Sequence, residues 1–135
     1  LGPNGLQIHD GVVYVANPVR RTLVRIPVLA GGVAGTAEIV NVGVSIDDFA
    51  VRADGVIFAT SHDRALYRIG TDGKVTTIAD ASDGVHGCTA AQFGRTPEDR
   101  DFLYVVGDGG FFWSQTDQRV VEPAKLVRLD VRARE

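Results

Sequence analysis

Asn4 and Asp47 stand 43 residues apart, and each opens a similar short apolar segment: Asn4-Gly5-Leu6-Gln7-Ile8 in one case, Asp47-Asp48-Phe49-Ala50-Val51 in the other. An amide oxygen and a carboxylate brought to one point make a hard-oxygen site of the kind Ca²⁺ prefers, and Zn²⁺ also accepts carboxylate oxygen. A divalent cation held there polarises a carbonyl and lowers the pKa of a water, while a neighbouring carboxylate serves as general base. Two side chains do not fill a coordination sphere, so other ligands must come from water, substrate or further protein. A third segment of the same kind opens at Cys88, whose thiol has no partnered His and Asp at a spacing that would make it a nucleophile. Cys88 reads as a small buried residue.

The elements that would position these side chains follow from a repeat. Arg21-Thr22-Leu23-Val24-Arg25-Ile26 returns 43 positions later as Arg64-Ala65-Leu66-Tyr67-Arg68-Ile69. Asp10-Gly11-Val12-Val13-Tyr14-Val15-Ala16 is answered by Asp54-Gly55-Val56-Ile57-Phe58-Ala59-Thr60. A degenerate third copy runs through Cys88 to Phe93, Phe102 to Val106 and Leu126 to Leu129. The segments are short, rich in β-branched and aromatic residues and entered by Asp-Gly turns, and none shows a sustained helical period. Four short strands in a unit of this length indicate propeller blades. The fold class is therefore all-β: a β-propeller of which this chain supplies about three blades, at residues 1–43, 44–84 and 85–135.

Within such blades, residues 11–16, 55–60 and 102–106 read as second strands, 22–28 and 65–69 as third strands, and 38–42 and 75–79 as outermost strands. Alternation of Arg with Leu, Val, Tyr and Ile in the third strands predicts one face between blades and one toward water. Thr71-Asp72-Gly73-Lys74 reads as a hairpin turn, and residues 114–124 as a surface loop interrupting the third unit. Gly107-Asp108-Gly109-Gly110 lacks the Lys-Ser/Thr pair and the helix of a phosphate loop and reads as a tight turn. Three units make an arc, whereas propellers close with four to eight blades. The chain has no Met and opens at Leu1-Gly2-Pro3, so it reads as a piece of a longer protein of roughly 270 residues or more, with the missing half of the same propeller as its first partner. Alone, it is expected to be marginal and prone to aggregate, through uncovered terminal faces and unpaired edges.

In a propeller the first strand of each blade lines the central channel, so Asn4, Asp47 and Cys88 enter at equivalent places. His62, after the second strand of its blade, and His86, just before Cys88, are the weaker candidates for contact with a small-molecule substrate at the channel mouth; each also reads as an ordinary loop histidine. Asp48 reads as bonded to local backbone. Phe111, Phe112 and Trp113 offer either an aromatic wall for a pocket or packing between blades.

The motif Asn4-Gly5-Leu6 followed by a strand, the run from Asp47 to Gly55, and Phe93-Gly94 ahead of Leu103-Tyr104-Val105 together resemble the regucalcin/gluconolactonase group of six-bladed propellers, also called the senescence-marker-protein family. The resemblance spans nearly the whole chain. It implies that Asn4 binds a catalytic divalent metal, and that Asp47 is both a ligand and a general acid/base for lactone hydrolysis. Where that family carries Pro-Asp-Gly, this chain carries Ile46-Asp47-Asp48. The variant Asp47-Asp48-Phe49-Ala50, with Ala91-Gln92-Phe93-Gly94-Arg95-Thr96, resembles fungal members of the group, some of whose relatives are pericyclases that hold a reactive substrate without hydrolysing it. The expected activity is thus lactone or ester ring opening by metal-activated water, the alternative being a non-hydrolytic propeller that binds a small organic ligand.

Composition narrows the remaining classes. Of 135 residues 44% are apolar, and the net charge of -3 comes from interspersed acids and bases, with no basic stripe and no interleaved stacking platform, which argues against nucleic acid. No apolar run approaches the roughly 18 residues that span a bilayer. The single cysteine rules out a disulfide within the chain and leaves secreted and cytoplasmic locations both open.

Overall fold

The computed structural model describes residues 2–63, 65–112 and 121–134. Arg64, Trp113 and most of the expected loop at 114–124 lie outside the described residues. The chain forms three antiparallel sheets that pack in sequence around one axis. The first has the order β1 (Leu6–His9), β2 (Val12–Asn17), β3 (Thr22–Pro27), β4 (Glu38–Val42). The second repeats it with β5 (Phe49–Val51), β6 (Ile57–Ser61), β7 (Ala65–Ile69) and β8 (Val75–Asp80). The third comprises β9 (Cys88–Phe93), β10 (Phe102–Gly107) and β11 (Lys125–Asp130). Each sheet is a meander whose first strand lies at the inner edge, and β5 neighbours both β1 and β9. This is an all-β propeller arc.

The tight connections follow from local chemistry. Asp10 and Gly11 both take positive φ, of 46° and 71°, which closes the two-residue turn between β1 and β2. At the second such turn Asp54 accepts the Val56 N–H at 3.2 Å and the Arg52 Nε–H at 3.0 Å. Between β7 and β8 the Gly70 N–H donates to the Lys74 carbonyl at 2.9 Å, closing the expected hairpin.

Apolar side chains fill the two spaces between sheets. Tyr14, Ala16 and Leu23 of the first sheet meet Phe49, Ile57 and Ile69 of the second. Phe58 and Leu66, on the opposite face of the second sheet, meet Ala91, Leu103 and Val105 of the third, with Phe58 and Phe93 edge to face at 5.3 Å. A fully buried Leu or Phe contributes about 1.5–3 kcal/mol, so these interfaces are the main source of cohesion. Because the second sheet is covered on both faces, every residue of β6 is buried. Arg68 of β7 is correspondingly half-buried, whereas Arg25 of β3 and Arg128 of β11 are exposed as the alternation predicts.

Candidate metal and substrate site

The start of each inner strand is fixed by main-chain bonds that repeat from blade to blade. The Asn4 N–H donates to the Ala16 carbonyl at 2.9 Å and the Ala16 N–H to the Gly5 carbonyl at 2.9 Å. In the second blade the Asp47 N–H donates to the Thr60 carbonyl at 3.0 Å, and the Thr60 N–H to the Asp48 carbonyl at 2.8 Å. Asn4 is therefore the structural counterpart of Asp47, Gly5 of Asp48, and Ala16 of Thr60. The two blades are stitched together there by the Gly5 N–H, which donates to the Asp47 carbonyl at 3.0 Å. A Cβ on Gly5 would lie 2.8 Å from that carbonyl oxygen and 2.9 Å from Asp48 Cα. Gly5 is needed for this close approach of two backbones.

The approach brings two side chains together across the blade boundary, with Asn4 Nδ2 donating to Asp47 Oδ1. The other oxygen, Asp47 Oδ2, lies 3.2 Å from His62 Nε2. His62 is placed by β6, two residues beyond the buried Thr60. Its Nδ1 is 3.9 Å from Asp108 Oδ2, on the turn that follows β10. The imidazole thus lies between two carboxylates, and the side chains of Asp47, His62 and Asp108 are 17%, 23% and 23% exposed. One ring face of His62 stacks on Phe112, with centroids 4.6 Å apart and planes 18° apart.

Asp108 is held by its own loop. Its carboxylate accepts the Gly110 N–H at 2.7 Å and the Phe112 N–H at 3.1 Å, confirming the tight turn expected at 107–110. Gly87, at φ +64°, leaves room for it: a Cβ there would lie 1.9 Å from Asp108 Oδ1. Asp108 was not singled out from the sequence. The signal was present, because Ser61-His62 and Gly107-Asp108 both end a second strand, but the glycines around Asp108 direct attention to a turn.

The remaining candidates fall elsewhere. Asp48 is half-buried, and burial raises its carboxyl above the ordinary aspartate value, opposed by the Phe49 and Ala91 N–H groups and reinforced by the charge of Asp47. His86 is 8% exposed, with its ring over Gly110 and its Nδ1 4.0 Å from Glu122 Oε1. The Asp108 N–H donates to the Gly87 carbonyl at 2.9 Å, as Ala16 donates to Gly5 and Thr60 to Asp48, so His86 takes the place of Asn4 and Asp47 in the third blade. At Cys88 the blade equivalence breaks. Val106 pairs with Ala90 and Gly107 with Cys88, so Thr89 is an extra, bulged residue. Cys88 is fully buried, its thiol donates to the Val85 carbonyl at 2.6 Å, and burial pushes the thiol pKa up to about 12. The entry place of the third blade is therefore that of His86, and Cys88 brings no ligand.

No family model matches the chain, and no curated protein matches it. Among solved structures it is similar to regucalcin, a calcium-binding protein from Agrobacterium tumefaciens strain C58, with a TM-score of 0.57 and 24% sequence identity. The match covers 78% of this chain and 37% of that protein. At this identity the likeness establishes the fold of the arc.

The donor set can be weighed for a cation on its own chemistry. Asn4 and Asp47 are oxygen donors suited to a hard divalent ion. Among the described residues no group of three or more His, Cys, Asp and Glu side chains is placed to hold one. Asn4 and Asp47 by themselves do not make a coordination sphere.

Proposed function

We propose that this chain is part of a regucalcin/gluconolactonase-type propeller, of the fungal type indicated by the Asp47-Asp48-Phe49-Ala50 variant, acting as a metal-dependent hydrolase of lactones or related esters. The observation that carries the reading is the juxtaposition of Asn4 and Asp47 across the blade boundary, at the ends of two inner strands. Asn4 and Asp47 would hold a divalent ion, Ca²⁺ or Zn²⁺, together with ligands outside this chain. Such an ion, when bound, supplies polarisation of a carbonyl and acidification of a water. Asp47 is placed to accept a proton from water at its carboxylate and to be oriented by His62 through Nε2–H. In this reading His62, with Asp108 next to it, and His86 at the entry of the third blade contact the substrate.

The test is calorimetric. Purified intact protein carrying this chain should bind Ca²⁺ or Zn²⁺, and Asn4→Ala and Asp47→Ala should each weaken binding tenfold or more, about 1.4 kcal/mol. Metal-dependent opening of a lactone should fall with both substitutions. A protein that binds neither ion overturns the hydrolase reading. One observation favours the alternative, a non-hydrolytic propeller binding a small organic ligand: both oxygens of Asp47 already have partners, Asn4 and His62, within the chain itself.

A further inference from the structure

We infer that Asp48 serves the cation site as a second, non-coordinating carboxylate, which holds a negative charge beside Asn4 and Asp47 and sets how strongly that pair attracts ions of higher charge. The inference rests on the site proposed above and goes beyond it by giving Asp48 a part.

The main chain leaves Asp48 little freedom. Its N–H donates to Thr60 Oγ1 at 3.2 Å, and its carbonyl accepts the Thr60 hydroxyl at 2.9 Å and the Thr60 N–H at 2.8 Å. Thr60 is itself fully buried. From that anchor the side chain reaches the place where β5 lies between β1 and β9. Asp48 Oδ1 is 2.9 Å from the point a Cβ on Gly5 would occupy, so the carboxylate rests against the residue that follows Asn4. The N–H groups of Phe49 in β5 and of Ala91 in β9 face the same carboxylate. Asp48 is thus next to Asp47 along the chain and next to the Asn4-Gly5 segment across the blade boundary.

Oxygens that accept main-chain N–H groups are tied down and do not swing onto an ion, so Asp48 acts through its field. Neighbouring carboxylates repel unless a positive charge offsets them. His62 faces Asp47, but among the described residues no Lys or Arg pairs with either Asp47 or Asp48. A cation held by Asn4 and Asp47 would supply the missing counter-charge to both. In a half-buried place the Coulomb attraction is stronger than in bulk water, and it grows with the charge of the ion. That dependence on charge separates an electrostatic role from a change of shape.

The experiment measures by calorimetry the affinity of the intact protein for Ca²⁺, Zn²⁺ and La³⁺, the last being close to Ca²⁺ in size. The same titrations are made on Asp48→Asn, which keeps the shape and removes the charge, and on Asp48→Gly, which removes the whole side chain; melts in chelator show that each variant is folded. Both variants are expected to bind the divalent ion about tenfold more weakly, the lower end of what groups just outside a coordination sphere contribute. The loss for La³⁺ should be the larger one. Unchanged affinities, or equal losses for Ca²⁺ and La³⁺, overturn the inference; the metal reading still stands if Asn4→Ala and Asp47→Ala weaken binding. A loss beyond about a hundredfold in Asp48→Asn would make Asp48 a ligand and overturn its non-coordinating role. A wild type that binds none of the three ions overturns both readings.

Discussion

His62 Nε2 sits 3.2 Å from Asp47 Oδ2, joining the residue that follows the second strand of the middle blade to the residue that opens the same blade. An imidazole that donates to a ligating carboxylate fixes which oxygen is left for a cation, and such outer partners typically affect metal affinity by 10–100-fold. His62→Ala is therefore expected to weaken cation binding about tenfold. His62→Gln, which keeps an N–H donor, should recover much of that loss. If both variants bind the ion as tightly as wild type, His62 does not orient Asp47.

Asp48 gives a prediction of opposite sign. Burial raises its carboxyl pKa in the folded protein, so the folded state holds the proton more tightly than the unfolded chain does. Its favourable contribution is present below the unfolded aspartate pKa and is lost as pH rises through the folded value. At neutral pH the ionised group is a burden, and Asp48→Asn should melt higher than wild type in the presence of a chelator. Below about pH 4 the two should converge. A lower melting temperature for Asp48→Asn at pH 7 would mean that the Phe49 and Ala91 N–H groups stabilise the carboxylate by more than burial costs.

The short turn Ala81–Asp83 after β8 carries a capping box that reaches the end of the described chain. Asp83 accepts the Asp80 N–H at 3.1 Å and Arg134 Nη1–H at 2.9 Å, while Arg134 also donates to the Ile78 carbonyl at 3.0 Å. The Asp80 N–H first, and Arg134 second, hold the Asp83 carboxyl below the ordinary value. With a depressed pKa, its stabilisation is present above the unfolded pKa and lost as pH falls through the folded one, below about pH 4. Asp83→Ala should cost about 1 kcal/mol at pH 7, the usual effect of losing a cap. The gap from wild type should narrow in acid melts of the intact protein.

Gly87 tests the architecture of the Asp108 loop. Its positive φ and the 1.9 Å approach of Asp108 Oδ1 to a would-be Cβ mean that Gly87→Ala must strain the backbone and displace the carboxylate, and the Gly110 nitrogen at 2.6 Å blocks the other way out. A loss of roughly 1–3 kcal/mol in stability is expected. Melts of the intact protein check this, and Gly2→Ala, which meets open space, should leave stability unchanged.

How far these features were legible in the sequence differs from residue to residue. The propeller fold was, because a strand repeat preserves its spacing and the same R-x-L-x-R-I stretch returns in β3 and β7. The equivalence of Asn4 and Asp47 follows from that spacing, and the main-chain bonds reproduce it. What spacing does not carry is the pairing of side chains around the axis. In the third blade the Asp108 N–H bonds the Gly87 carbonyl, so His86 and not Cys88 takes the entry place, and the bulge at Thr89 hides that from a count of residues. Asp108 escaped because a Gly-rich turn and a channel-facing carboxylate look alike in one dimension. Gly5 serves a backbone contact between sequence-distant strands, which no local motif announces.

The outer face of the first blade leads to the last prediction. Register places Leu6, Ile8, Val13, Val15, Val24, Ile26 and Ile39 on one side of the sheet, with the second blade packed against the other. Leu6, Ile8 and Ile39 are 56%, 69% and 65% exposed, and among the described residues the polar pair Asn17 and Thr22 stands at one end of the set. A sheet apolar on both faces is one that belongs between two layers. The 135-residue polypeptide by itself should therefore bind an exposed-hydrophobe dye and self-associate, and Ile8→Lys with Ile39→Lys should reduce both behaviours while leaving the inter-blade core intact. Static light scattering and dye fluorescence on the isolated chain decide the matter. A monomer that melts in one sharp transition without dye binding would show that the face tolerates water, and that the buried interfaces of the middle blade are enough to hold the arc together.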